Sequence, residues 1–245
     1  GDAYLRPLPM IEVADILGIS KETLRRWDKN GKLVPKRHPK NKYRVYHRSQ
    51  LEQFEQAQLL FNSNWDEEVG IKPDRSYTLI ELFAGAGGLA IGLENAGLKS
   101  SLLNEIDKNA CATLRKNRPE WNVVEGDIAE IDFSQYRDKI DIVSGGFPCQ
   151  AFSYAGKKRG FEDTRGTLFF EYARAVKEIN PKVIVAENVR GLLNHDDGRT
   201  LDTIKKIIDE LGYDLVEPKV LKAVFYQVPQ KRERVFIIGH KNKQY

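Results

Sequence analysis

Asp141-Ile142-Val143-Ser144-Gly145-Gly146-Phe147-Pro148-Cys149-Gln150 is a short apolar run that stops at two glycines and then presents a cysteine beside a proline. The run, begun by Ile140, predicts a buried strand. In open α/β sheets the chemistry lies beyond the carboxyl ends of the strands, so Cys149 is a candidate nucleophile. Two more runs end in useful groups. Val183-Ile184-Val185-Ala186-Glu187-Asn188-Val189 predicts a buried strand that delivers a carboxyl group. Pro229-Gln230-Lys231-Arg232-Glu233-Arg234 places two arginines just before a strand at Val235–Ile238. A thiol, an acid and paired cations at three strand ends predict one active site.

From Tyr77 onward, apolar runs alternate with helical stretches. The runs are Leu79–Phe83, Ser101–Leu103, Trp121–Val124, Ile140–Val143, Val183–Val185 and Val235–Ile238. The helical stretches are Gly88–Ala96, Lys108–Asn117, Thr167–Ile179 and Arg199–Leu211. This order predicts an α/β fold, a doubly wound and mostly parallel Rossmann-like sheet over residues 77–245.

The first predicted strand runs into Phe83-Ala84-Gly85-Ala86-Gly87-Gly88-Leu89-Ala90. Gly85, Gly87 and Ala90 fit the G-x-G-x-x-G/A turn, which lets a ligand approach the backbone where a helix begins. Glu105 follows Gly85 by twenty residues, at the end of the second strand, where a carboxylate suits a ribose diol. Asp127 follows the third strand and is placed to accept from an adenine amino group, with Ile128 against the ring. A nicotinamide cofactor fits this half almost as well. A dehydrogenase, however, has no need of a cysteine matched to a carboxyl and paired arginines.

Bulk properties agree. The chain has 245 residues and a net charge of +4, and the surplus is uneven. Residues 1–64 carry twelve Lys/Arg against seven Asp/Glu, and residues 65–245 carry 27 against 28. Two distant cysteines, Cys111 and Cys149, predict no disulfide framework and a reducing compartment. Cys111 falls inside a predicted helix and reads as a small buried hydrophobe. The four histidines lack zinc spacing, and no apolar run is long enough to span a bilayer. The expectation is a soluble, cytoplasmic protein with no metal and no membrane partner.

Residues 1–60 predict a small helical module that carries the basic surplus. Ile11–Gly18 has helical spacing and a terminal glycine, and Ser20 caps a second helix, Lys21–Lys29. Lys29 to Arg48 holds eight basic residues and no acid, and Tyr43–Tyr46 alternates as a hairpin wing would. A third helix is expected over Ser49–Leu60, and residues 61–76 read as a linker. Glu12-Val13-Ala14, Leu17-Gly18-Ile19-Ser20, Thr23-Leu24-Arg25, Trp27, Tyr43-Arg44 and Tyr46 resemble the MerR/excisionase type of winged helix-turn-helix. The resemblance implies DNA binding, with Arg25, Arg26, Lys42 and Arg44 as candidate contacts; a helical docking module with solvated charges is the other reading.

The later motifs, taken in order, resemble the DNA (cytosine-5)-methyltransferase family. They are Phe83–Gly88, Asn104-Glu105-Ile106-Asp107, Gly126-Asp127-Ile128, Gly145–Gln150, Glu187-Asn188-Val189 and Gln230–Arg234, and the likeness covers Tyr77 to His240. It implies S-adenosyl-L-methionine as cofactor, held by Phe83, Ala84, Gly85, Ala86, Gly87, Gly88, Glu105, Ile106, Asp127, Ile128, Pro148 and Leu168. It implies that Cys149 adds to C6 of a flipped-out cytosine in double-stranded DNA. Glu187 then acts, protonated, at N3, Asn188 fixes that carboxyl, Arg234 contacts O2, and Arg232 and Gln230 organise the strand ends. The loop Gln150–Arg165, with Gln150, Ser153, Lys157 and Arg159, would close over DNA.

Single-chain members of that family continue past the arginine strand into a target-recognition region and two more motifs. The expectation here is either a fragment of such a chain or, as the favoured reading, a split restriction–modification enzyme with a second polypeptide supplying those parts. Two alternatives stay open at this level: a transcriptional regulator with an inactive methyltransferase domain, and a tRNA cytosine-5 methyltransferase.

Overall fold

In a computed structural model of the chain, the residues described are 7–61, 75–149, 166–226, 230 and 232–241. The chain divides into two compact units, Gly1–Lys72 and Pro73–Tyr245. The division falls inside the expected linker, whose residues 62–74 lie outside the described ones.

In the first unit, α1 (Met10–Leu17) ends at Gly18, whose φ of 66° turns the chain and returns its N–H to Ala14 O. Helix α2 (Lys21–Lys29) starts at Ser20, whose Oγ accepts from Thr23 N at 3.0 Å. The wing pairs β2 (Lys36–Arg37) with β3 (Arg44–Tyr46). A strand not foreseen, β1 (Leu8–Pro9), adds to the other edge of β3; two residues are too few to show a period. The expected third helix is two pieces, α3 (Arg48–Leu51) and α4 (Glu55–Phe61). At the break Phe54 lies flat on Trp27, with ring centroids 5.3 Å apart, a tertiary contact that helical spacing does not reveal. Val13, Leu17, Leu24, Leu33, Tyr46 and Leu51 form the core.

The second unit alternates as expected: β4 (Tyr77–Leu82), α5 (Gly88–Asn95), β5 (Leu98–Glu105), α6 (Lys108–Asn117), β6 (Val123–Glu125), β7 (Ile142–Gly145), α7 (Leu168–Ile179), β8 (Val183–Val189) and α8 (Arg199–Glu210). Then β9 (Asp214–Leu215), β10 (Lys219–Lys222) and β11 (Glu233–His240) complete the sheet. Its order is β10-β11-β8-β7-β4-β5-β6, with β9 also on β11. Strands β6 to β8 are parallel, and β11 runs antiparallel between β8 and β10. The chain winds outward in both directions from β4 and β7, which makes their junction the switch point of the sheet. The short polar strands β9 and β10 escaped the sequence reading because neither carries an apolar run.

On one face Ile80, Leu82, Val143, Ile184 and Ile237 pack against Phe169, Tyr172, Val176, Ile204 and Ile208. On the other, Leu103 meets Ala84, Ala90, Leu114 and Trp121. The leading ends of three parallel strands are joined at Asp141. Its carboxylate accepts from Arg75 Nη2 at 2.8 Å, Thr78 N at 3.0 Å and Lys182 Nζ at 3.0 Å. Burial alone would raise its pKa. The donors from Arg75, Thr78 and Lys182 outweigh that and hold the carboxyl well below its ordinary 3.8.

A group whose folded pKa is depressed stabilises the fold above its unfolded pKa and loses that effect as pH falls. Asp141→Asn is therefore expected to cost roughly 1–3 kcal/mol at neutral pH, because it strands two cations and a backbone donor. The difference from wild type should shrink as pH drops below 3.8, as read by urea unfolding at several pH values.

Candidate active site

Strand β7 ends in Gly145 and Gly146, and both have a steric reason. A Cβ on Gly145 would lie 2.9 Å from two ring carbons of Tyr172, and one on Gly146 would lie 3.1 Å from Glu187 Oε2. The glycine pair thus lets α7 and β8 close on the strand that carries the cysteine. Asn188, 3 % exposed, donates from Nδ2 to Phe147 O at 2.8 Å, tying the end of β8 to the Cys149 loop. Its Oδ1 accepts from Val189 N at 2.8 Å, which orients the amide. Cys149 is half-buried, against a small apolar pocket that includes Phe147, Phe169, Leu192 and Ile204. Burial pushes its thiol up from the ordinary 9.0.

Because β11 runs antiparallel to β8, its beginning meets the end of β8, with Arg234 opposite Val189. Glu187 Oε1 therefore lies 3.0 Å from Arg234 Nε and 3.3 Å from Arg232 Nη2. Arg234 Nη1 also donates to Glu233 O at 2.8 Å, which fixes the guanidinium plane. Both cations address one carboxyl oxygen, and the other faces Gly146. Gln230 is exposed near the start of this strand.

The glycine turn follows β4. Phe83, Gly85 and Gly87 have φ of 56°, 55° and 89°, so the chain coils left-handed between strand and helix. Gly87 is needed twice over, since a Cβ there would also stand 2.6 Å from Leu114 Cδ2. Gly85 and Gly88 face open space, with nothing within 4 Å of an added Cβ. That gap leaves room for a ligand to approach the backbone.

Glu105 is engaged by the backbone. Its Oε2 accepts from Gly85 N at 2.7 Å, and its Oε1 accepts from Ile106 N and Asp107 N at 2.8 Å each. The carboxylate locks the glycine turn to β5, and of its roughly four lone-pair directions three are used, which leaves one for a hydroxyl. Asp127 caps the turn at Ile128–Glu130 through Ala129 N at 2.9 Å. Ile106 is 65 % exposed, whereas Ile128 is 3 % exposed and belongs to the core. The open apolar face beside the turn is thus Ile106. Ala84 is buried, Ala86 and Pro148 are exposed, and Leu168 is half-buried at the start of α7.

Sequence reasoning passed over two groups. Asn104, buried in β5, donates to Val124 O at 3.2 Å and Gly126 O at 3.0 Å, which fixes the loop carrying Asp127. Glu81 is 2 % exposed inside β4; a lone acid within Leu79-Ile80-Glu81-Leu82-Phe83 was the available signal.

The structure therefore brings the glycine turn, Glu105, Asp127, Cys149, Glu187, Arg232 and Arg234 to one edge of one sheet. In the first unit, Arg25, Arg26 and Lys42 are exposed, and Arg25 pairs with Glu22. Arg44 is engaged with Asp28 at 2.9 Å, so it ties the wing to α2. Gln150, Ser153, Lys157 and Arg159 lie outside the described residues. Among the described residues, no helix is long and apolar enough to cross a membrane.

Comparison with known proteins agrees with this arrangement. Residues 10–46 match the model for MerR family regulatory proteins. Type II methyltransferase M.Eco47II of Escherichia coli is 70 % identical over 231 residues, 94 % of this chain and 55 % of its own length. Type II methyltransferase M.PspPI of Psychrobacter is 59 % identical, over 95 % of this chain and 56 % of its own. The chain thus spans about half the length of the curated relatives it matches. A crystal structure of a Spodoptera frugiperda DNMT2 variant superposes with a TM-score of 0.54 at 24 % identity, covering 69 % of this chain and 51 % of that one, a likeness of fold. Residues 77–245, the whole of the sheet and its helices, match the model for C-5 cytosine-specific DNA methylase. That match covers well over half of the sequence, and the chain belongs to the C-5 cytosine-specific DNA methylase family.

Proposed function

We propose that this chain carries the catalytic machinery for methylating C5 of a cytosine in double-stranded DNA, as part of a restriction–modification system. The observation that supports it most is the joining of three strand ends: Asn188 holds the Cys149 loop at 2.8 Å while Arg234 and Arg232 hold Glu187. Its two similar relatives named above are type II methyltransferases, and both align over nearly all of the chain.

Cytosine C5 is a weak nucleophile until something adds at C6. In this reading Cys149 gives up its proton to water, and the thiolate forms an S–C6 bond while the C5=C6 π pair shifts toward C4 and N3. Glu187, which must first take up a proton, then gives a hydrogen bond to N3 through the oxygen that faces Gly146, which stabilises that charge. Arg234 keeps Nε on Glu187 and turns its remaining N–H groups toward O2. The half-buried, apolar setting of Cys149 favours the neutral thiol at rest, so proton removal belongs to the reaction with the base. S-adenosylmethionine, when bound, supplies the electrophilic methyl group. Loss of the C5 proton then expels the thiolate and restores the double bond.

The residues suited to hold that cofactor are the open side of Gly85 and Gly88, Glu105, the exposed face of Ile106, and Asp127. A base inside a duplex cannot reach this edge, so the cytosine is flipped out. Target recognition is assigned to sequence of the kind that fills the other half of the relatives, either joined to this region or supplied by a second polypeptide. The first unit adds DNA affinity through Arg25, Arg26 and Lys42, with Arg44 positioning the wing.

Three outcomes test this reading. Assayed with the sequence that completes target recognition, Cys149→Ser should lower methyl transfer by roughly a thousandfold or more and abolish the covalent adduct with 5-fluorocytosine DNA. Turnover at the wild-type rate would falsify the nucleophile. Alkylation of Cys149 by iodoacetamide should rise about tenfold per pH unit and keep climbing past pH 9.0, since the raised pKa leaves the thiol protonated until then. Cys111, 0 % exposed, should stay unmodified in the same mass spectra. Deleting residues 1–64 should weaken DNA binding and flatten its salt dependence, because fewer phosphates are neutralised; unchanged methylation with lost promoter occupancy would assign that unit to transcription instead.

A further inference from the structure

Glu81 is the next-to-last residue of β4, with its carboxyl on the sheet face covered by α5. It is paired across the sheet with Ser144 of β7 on one side and Leu103 of β5 on the other. Ser144 Oγ, fully buried, donates to Glu81 Oε2 over 3.4 Å. From above, the backbone N–H of Ala90 faces the same carboxyl. Ala90 is the third residue of α5, the helix that the glycine turn launches, so its N–H is one of the amides a helix leaves unpaired at its start. Ser144 precedes Gly145 and Gly146 and stands five residues before Cys149. One buried side chain thus touches the element that begins at the cofactor cradle and the strand that ends at the nucleophile.

No guanidinium or ammonium from the described residues addresses Glu81. The charge that acts on it is Glu187 of β8, which has the same sign and is itself held by Arg232 and Arg234. Strand β7 offers only Ser144, and β5 offers Glu105, already bound to three backbone amides. The one acid of α5, Glu94, is committed to Arg118 and Trp121. An ionised carboxylate in this place would be a desolvated charge facing a second carboxylate. A neutral carboxyl can accept from Ser144 and Ala90 at no such cost. Burial first, and Glu187 after it, push Glu81 up to about 8 from the ordinary 4.5.

We propose that Glu81 is a positioning residue: its uncharged carboxyl joins the helix that starts at the glycine turn to the strand that carries Cys149, so that the two halves of the site hold one relative geometry. The assignment of the two halves rests on the function proposed above; the joint itself does not. Ionising Glu81 drives its carboxylate away from Glu187 and from the apolar packing, and both neighbours loosen together.

The experiment is hydrogen–deuterium exchange on the whole chain, at about pH 6.5 and about pH 9, with intrinsic rates corrected for pH. Wild type should gain exchange at the higher pH in residues 84–96 and 142–149 alike, by at least about fivefold, while Glu81→Gln, which cannot ionise, stays protected at both. Glu81→Ala should be loose in both segments at either pH. Equal behaviour of wild type and Glu81→Gln across the pH change, or loosening of one segment without the other, overturns the joint. If Glu81→Ala does not fold, the comparison of wild type with Glu81→Gln decides the matter alone. Calorimetric titration with S-adenosylhomocysteine forms a separate arm. Absence of binding to wild type counts against the cofactor reading and leaves the exchange result standing.

Discussion

Gly145 has no room for a side chain, because the Tyr172 ring occupies the space a Cβ would take, and a Cβ on Gly146 would press on Glu187 Oε2. Everything near the proposed chemistry follows from this close packing. With the glycines in place, α7 seats on the end of β7, Asn188 reaches the carbonyl of Phe147, and the cysteine loop is set against a wall of phenylalanine and leucine. A methyl group at Gly145 would press on the Tyr172 ring of α7, and one at Gly146 would press on the Glu187 carboxyl. The constraint is steric, and it sets how closely α7 and β8 approach the end of β7.

Three carboxyls in one sheet show how environment divides labour among identical groups. Asp141 lies at the leading edge among Arg75, Lys182 and the N–H of Thr78, and is held as a carboxylate that staples three strands. Glu187 lies at the trailing edge with two guanidiniums on one oxygen and a glycine on the other. Glu81, between these edges, is addressed among the described residues by a hydroxyl and an amide, and burial pushes it up to about 8. Structural staple, proposed proton donor and proposed joint differ in their surroundings and scarcely in their chemistry. Glu105 adds a fourth pattern, in which backbone amides alone engage an acid and so shape a turn.

The alternation of strands and helices was legible because parallel strands are apolar throughout and their helices are amphipathic. For the same reason the helix Lys108–Asn117 matches its expected bounds, and Thr167 is the N-cap just ahead of α7. What escaped has a common cause. Strands β1, β9 and β10 have two to four residues each, and their pairing partners lie far along the chain. The split of the third N-terminal helix depends on Trp27, more than twenty residues away.

By itself the sequence determined the class of fold, the order of the motifs, and the residue types at each strand end: cysteine after one, glutamate on another, arginines before a third. Local periodicity and turn chemistry contain that information, since neighbouring residues alone set them. Tertiary structure decided the rest. The antiparallel run of β11 brings Arg232 and Arg234 onto Glu187, Arg44 is drawn to Asp28, Glu105 is turned toward the backbone, and Glu81 becomes a buried acid with no cation among the described residues. Each of these depends on which distant groups crowd a side chain and how much water they remove, and that is settled only when the sheet has closed.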